Sequence, residues 1–174
     1  MTPASSAIEI RIAGDSDVVA LAELRAIWAT GTAAGHDFTE RVATWMAAEG
    51  DRRTAWLAAE GDRAVGMVWL SEYRRMPKPG SIDSRWGYVG HMFVRDDRRN
   101  RGVGTAMLAE LVATAQQRSY ARLVVSPSPE SLSFWHRAGF VRPETAPGGH
   151  ALLVRRIPSL TDADTRLRAP TGPL

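Results

Sequence analysis

Residues 95–108 read RDDRRNRGVGTAML: four arginines and two aspartates, then two glycines one residue apart, then the opening of a helical pattern. Upstream, residues 88–94 have the composition of a strand, and downstream Val103, Met107, Leu108, Leu111, Val112 and Ala115 recur at helical spacing. A strand that hands over to a helix through a glycine turn is a unit of α/β architecture. It is also an anion site, because the first N–H groups of the helix lack intrahelical acceptors and the positive end of the helix dipole points the same way. Glycines let an anion approach the backbone, and Arg95, Arg98, Arg99 and Arg101 are candidates to add charge-assisted contacts to several phosphates. Read alone, the same stretch also fits a solvated arginine turn ahead of an amphipathic helix.

The rest of the chain narrows the possibilities. With 174 residues, 44% of them apolar, it can bury one ordinary core, so a single domain over residues 1–157 is expected, followed by a polar, proline-rich tail over 158–174. No apolar run approaches the roughly twenty residues of a membrane helix, and the first eight residues lack the pattern of a secretion signal. The expectation is a soluble, cytoplasmic protein with no membrane partner. Without cysteine, disulfides, thiol nucleophiles and cysteine-ligated zinc are excluded, and no metal is expected. Lysine and arginine number 22 against 19 acidic residues, and Lys78 is the only lysine. That surplus is modest, the arginines are interleaved with Asp96 and Asp97, and no aromatic stacking platform lies among them, so no nucleic-acid partner is expected.

The pattern predicts a strand at residues 8–12, capped by Asp15, Ser16 or Asp17 into a helix carrying Val18, Leu21, Leu24, Ile27 and Trp28. A second helix covers residues 38–48, stopped by Gly50. Residues 54–60 and 64–70 form a hairpin around Gly61-Asp62. Pro77, Pro79 and Gly80 predict a long loop over residues 73–86. The strand at 88–94 carries Gly90, which marks a bulge or a close backbone approach. A short strand at 122–125 follows the central helix. Ser128 caps a further helix with Pro129 at its first position, and Gly139 takes the left-handed C-terminal place. Residues from Phe140 and residues 151–157 supply closing strands.

The turn lacks the third glycine of a dinucleotide fingerprint, and nothing resembles the GxxxxGK[ST] phosphate loop. Arg99-Asn100-Arg101-Gly102-Val103-Gly104 instead resembles the R/Q-x-x-G-x-G/A signature of the GNAT superfamily of N-acetyltransferases. Met92-Phe93-Val94-Arg95 resembles that family's strand entering its cofactor site. Ile10-Arg11 with Ala13 and Asp17, the hairpin from Leu57 to Gly66, and Phe134-Trp135-His136-Arg137-Ala138-Gly139-Phe140 resemble further family elements in the right order, together spanning about residues 8–157.

The resemblance implies an α/β fold with a central mixed, twisted sheet of about six or seven strands, flanked by about four helices and splayed at strands 4 and 5. It implies acetyl-CoA as co-substrate, held by Arg99, Asn100, Arg101, Gly102, Val103, Gly104 and Thr105 at the pyrophosphate. Along the pantetheine arm it implies Met92, Phe93, Val94, Ser128 and Ser131. It implies transfer of acetyl to a primary amine of a small molecule or peptide, by a monomer or homodimer, with Trp28 and Tyr73 facing the acceptor. Relatives often carry a carboxylate two or three residues before the last stretch of this strand, where Gly90 and His91 stand here. His91 is therefore the candidate base, with Glu72, Tyr73 and Asp83 as substitutes. Relatives often have a tyrosine at Trp135, whose indole donates a hydrogen bond but gives up no proton at neutral pH. Solvent, Tyr88 or His136 are the other proton sources. These departures leave open a second reading, an acyl-CoA-binding sensor or interaction module without turnover.

Overall fold

The computed structural model describes residues 7–77, 79, 85–143 and 152–158. They form β1 (Ile8–Ile12), α1 (Val18–Thr30), α2 (His36–Glu49), β2 (Arg53–Glu60), β3 (Arg63–Arg74), β4 (Arg85–Val94), α3 (Val103–Gln117), β5 (Tyr120–Val125), α4 (Leu132–Arg137) and β6 (Leu153–Arg156). The strands lie in chain order in one sheet. The β1–β2, β2–β3 and β5–β6 pairs are antiparallel. β4 leads to β5 through α3, the helical crossover that a parallel pair requires. The mixed α/β fold matches the expectation, with six strands and four α-helices among the described residues. None of these helices is long and apolar enough to cross a membrane.

Two compact units divide the chain: Met1–Glu72 with Val89–Leu111, and Tyr73–Tyr88 with Val112–Leu174. In the first, β1 runs antiparallel to β2 from Ile8 opposite Glu60 to Ile12 opposite Trp56. The buried face of α1, Leu21 and Leu24, packs with Ala55, Leu57, Met67, Trp69 and Phe93 into one core cluster. Truncating a leucine buried as fully as Leu24 costs about 2–5 kcal/mol. α1 ends at Gly31, whose φ of 74° lets its N–H reach the Ile27 carbonyl at 2.8 Å. Its start differs from expectation. Asp15, Ser16 and Asp17 form a 3-10 turn, and the Asp17 side chain caps no helix N–H. Its carboxylate instead accepts both Arg11 guanidinium nitrogens, at 2.7 and 2.6 Å, and the Gly14 N–H at 2.9 Å, a bidentate charged contact that outweighs a neutral cap. α2 starts two residues earlier than the pattern predicts and stops at Gly50.

The second unit corrects three expectations. The loop predicted over residues 73–86 is shorter, because β3 runs on to Arg74 and β4 starts at Arg85. Tyr73 and Trp86 stack with ring centroids 4.4 Å apart, an aromatic pairing that extends the strands past the point where polar residues suggested a loop. Ser128 opens a 3-10 turn, Pro129–Ser131, and makes no side-chain cap; α4 begins only at Leu132. Among the described residues that follow Phe140, 141–143, no closing strand forms: Val141 makes an isolated bridge to Val154, and Pro143 has no N–H to continue a ladder. β6 falls inside the expected 151–157 strand, with Val125 opposite Leu153 and Arg122 opposite Arg156. Gly139 does take a left-handed conformation, φ 81°, as expected. Ala151, Asp83 and the tail from residue 159 lie outside the described residues.

Candidate active site

The handover from β4 to α3 lies wholly in the first unit. After Val94, the Arg95 N–H still reaches the Val65 carbonyl at 2.9 Å, and Asp96–Arg98 form one 3-10 turn. Asn100 and Gly102 then take positive φ, 60° and 80°, turning the chain into the helix. Asparagine tolerates that region better than most residues, and glycine enters it freely. The first helical bond runs from the Ala106 N–H to the Gly102 carbonyl, 2.9 Å, so the N–H groups of Val103, Gly104 and Thr105 precede the helical ladder. A Cβ at Gly102 would meet nothing within 4 Å, so the backbone is open there.

The four arginines divide in two. Arg95 donates to the Ala64 carbonyl at 2.8 Å and to Glu23 at 2.5 Å. Arg98 holds Glu60, with Nε at 2.8 Å, and also Asp97, which Arg63 bridges at 2.8 Å. These two therefore neutralise carboxylates of the first unit, which corrects the expectation that they face phosphates. Arg99 lies over the Phe93 ring, donates to the Val94 carbonyl at 3.1 Å and pairs with Asp96 at 2.9 Å, while its side chain stays 54% exposed. Arg101 is exposed and has no partner among the described residues.

A cavity of about 990 Å³ opens in the same unit. Leu21 of α1 and Trp69 of β3 line it, with Phe38 and Trp45 contributed by α2. Trp45 meets Trp69 edge-on at 5.1 Å, which fixes that wall. Charged groups join them: Arg25, Arg41 and Arg53, opposed by Asp37 and Glu40. His91 lines it too, at a break in β4 where φ reaches 48°. The expectation placed that break near Gly90; it falls one residue later, on a residue type that visits the left-handed region more often than most. The imidazole meets Trp28 edge-on at 6.0 Å, Trp28 stacks on Phe93 at 6.1 Å, and the Arg25 guanidinium lies 5.1 Å from the Trp28 ring. His91 stays exposed on one side, but desolvation of the imidazole lowers its pKa from the ordinary value, and the Arg25 and Arg53 charges lower it further. At neutral pH the ring is uncharged, with a lone pair to accept a proton.

Thus His91 and Trp28 come together with Phe93, and Met92, Phe93 and Val94 lead directly into the turn that holds Arg99 to Thr105. Tyr73, Ser128, Ser131 and Trp135 belong to the second unit. There Tyr73 is 45% exposed on Trp86, and the Ser131 hydroxyl donates to the Ser128 carbonyl at 3.0 Å. Trp135 is buried, edge-on to Phe134 and Phe140. Sequence reasoning passed over Arg25. The signal was present, since Leu21, Arg25 and Trp28 are four and three residues apart and share one face of α1.

A family model described as acetyltransferase (GNAT) family matches residues 17–140. Among solved structures, a predicted acetyltransferase from Clostridium acetobutylicum with acetyl-CoA superposes with a TM-score of 0.66 at 18% identity, over 82% of this chain and 96% of that one. Glucosamine-6-phosphate N-acetyltransferase from Arabidopsis thaliana gives 0.65 at 14%, over 83% and 98%. Ribosomal-protein-alanine N-acetyltransferase from Brucella melitensis biovar Abortus 2308 gives 0.64 at 22%, over 82% and 97%.

Proposed function

Because the chain belongs to the acetyltransferase (GNAT) family, we propose that it transfers an acetyl group from acetyl-CoA to a primary amine of a small molecule or peptide. The observation that carries this reading is the turn ahead of α3. Three backbone N–H groups precede the helical ladder beside an open Gly102, with Arg101 unpaired among the described residues and Arg99 half-open. That donor set fits a pyrophosphate. Residues 99–105 would hold it, and Met92, Phe93 and Val94 would pair with the pantetheine arm.

Acetyl-CoA supplies the thioester, whose acyl carbon the amine attacks. An alkylammonium has a pKa of about 10, so a base must take its proton before attack. His91 is that base: its uncharged ring lines the cavity where the acceptor binds, with Trp28 setting its orientation. An N–H from Met92 or Phe93, next to the positive φ at His91, is the donor assigned to the thioester carbonyl. A donor aimed at a developing oxyanion contributes about 3 kcal/mol. A thiolate with a pKa near 8.5 leaves without an obligatory acid, so the reading needs no proton from Trp135.

Calorimetric titration with acetyl-CoA, using ATP and NAD as controls, tests the cradle in the wild type and in Gly102→Val. Acetyl-CoA alone is expected to bind. The variant loses about 1–2 kcal/mol of stability from its strained φ, stays folded, and binds at least about tenfold more weakly as its side chain fills the phosphate approach. Undiminished affinity in the variant removes the cradle. Binding without thiol release on any amine selects the non-catalytic acyl-CoA module instead.

A further inference from the structure

Resting on the reading above, we propose that the acceptor carries a carboxylate close to its amino group and an apolar or aromatic body, the chemistry of an aromatic amino acid. Most charges of the cavity are already answered within the protein. Arg53 is answered: its Nε donates to Glu49 at 2.8 Å, another nitrogen donates to the Ser71 hydroxyl, and its guanidinium lies over Trp45 at 5.4 Å. Asp37 sits in the first turn of α2, where the helix dipole favours negative charge, and Glu40 faces His36 at 3.5 Å. Arg41 is exposed to water and rests on Phe38.

Arg25 differs from all of these. It is half-buried, it touches the Trp28 ring, and among the described residues it has neither a carboxylate nor a carbonyl partner. A guanidinium stays charged under all ordinary conditions, and a partly desolvated one favours a bidentate anion. Its charge is felt at His91, whose protonated form it disfavours. The same field opposes a second ammonium beside the reacting amine, so diamines and polyamines are poor fits, and it favours the free base of the amine that reacts. The remaining walls, Leu21, Phe38, Trp45 and Trp69, offer apolar and aromatic surface to the acceptor's body.

The test compares L-phenylalanine, L-phenylalaninamide and phenethylamine as acceptors, with glucosamine 6-phosphate as an anionic amine of a different body. Thiol release with acetyl-CoA gives kcat/KM for each, and equilibrium dialysis measures binding of N-acetyl-L-phenylalanine independently of turnover. The expected result is a kcat/KM for L-phenylalanine at least about tenfold above the amide and the amine. Arg25→Gln reduces that ratio about tenfold, chiefly through KM, and lowers the affinity for N-acetyl-L-phenylalanine, while acetyl-CoA affinity reports an intact fold. Equal or better use of the carboxylate-free amines, preference for the sugar phosphate, or a ratio unmoved by Arg25→Gln overturns the inference and leaves amine acetylation standing. Arg25-dependent binding of N-acetyl-L-phenylalanine without thiol release from any amine upholds the anion site and overturns the transfer reading.

Discussion

His91 is the proposed base, and its surroundings fix the direction of its pH response. Burial and the Arg25 and Arg53 charges lower its folded pKa below the ordinary value of 6.5. As a base it works only when uncharged, so kcat/KM is expected to fall on the acid side with a midpoint below pH 6.5. Replacing Arg25 by Gln removes one of those charges and moves that acid limb upward; a limb at or above 6.5 in the wild type contradicts the assignment. Asp17 shows the same logic applied to stability. The Arg11 hydrogen bonds lower its carboxyl pKa against the opposing effect of burial, with the Gly14 N–H helping. A depressed carboxyl contributes stability that is fully present above its unfolded pKa of about 3.8–3.9 and is lost as pH falls through the lower folded value. Asp17→Ala is therefore expected to cost about 1–3 kcal/mol in urea denaturation at pH 7. The difference from wild type shrinks below pH 4, and a cost that does not change with pH would rule out the ion pair as its source.

At the scale of elements, β4 is held in place from β3 by the absence of a side chain. A Cβ on Gly66 would lie 3.1 Å from the Phe93 carbonyl oxygen and 3.0 Å from the Met107 methyl. The methionine tip yields, but a strand carbonyl does not. Gly66→Ala is expected to destabilise the protein by about 1–3 kcal/mol and to raise KM for acetyl-CoA, because the strand it displaces leads into the cradle; a neutral or stabilising effect would show that β4 moves freely. Hydrophobic period and glycine placement made most elements legible in the sequence: α1, α2, the β2–β3 hairpin and α3 all appear where apolar spacing puts them. The extensions of β3 and β4 were hidden because Tyr73 and Trp86 support strand only by stacking on each other, a contact that a linear pattern does not show. The break at His91 escaped for a related reason, since glycine is the usual sign of positive φ and here a histidine bears it. The proposed cradle rests on a local motif of strand, glycines and helix that is visible in the sequence. The Arg25 site was not, because a cation's importance depends on which carboxylates reach its neighbours.

Across the whole molecule, charge is organised more than it is accumulated. The chain carries 21 arginines and one lysine against 19 acidic residues. Arg11, Arg53, Arg95 and Arg98 each hold a carboxylate in bidentate or branched contacts that a lysine ammonium would not reproduce, and Arg63 pairs with Asp97. Set apart from those structural pairs, Arg25 in the cavity and Arg101 at the start of α3 have no carboxylate partner among the described residues, and they stand at the two places where the proposed chemistry needs an anion. The central claim is that these sites serve one transfer from thioester to amine. It is tested most directly by incubating the protein with acetyl-CoA and a panel of amines, following free thiol, and identifying the acylated product by mass spectrometry. The account predicts one mole of N-acetylated amine for each mole of thiol released, with His91→Ala slowing the reaction about 10²–10⁴-fold at neutral pH. Thiol release without an N-acetylated product, or a rate untouched by His91→Ala, would contradict it.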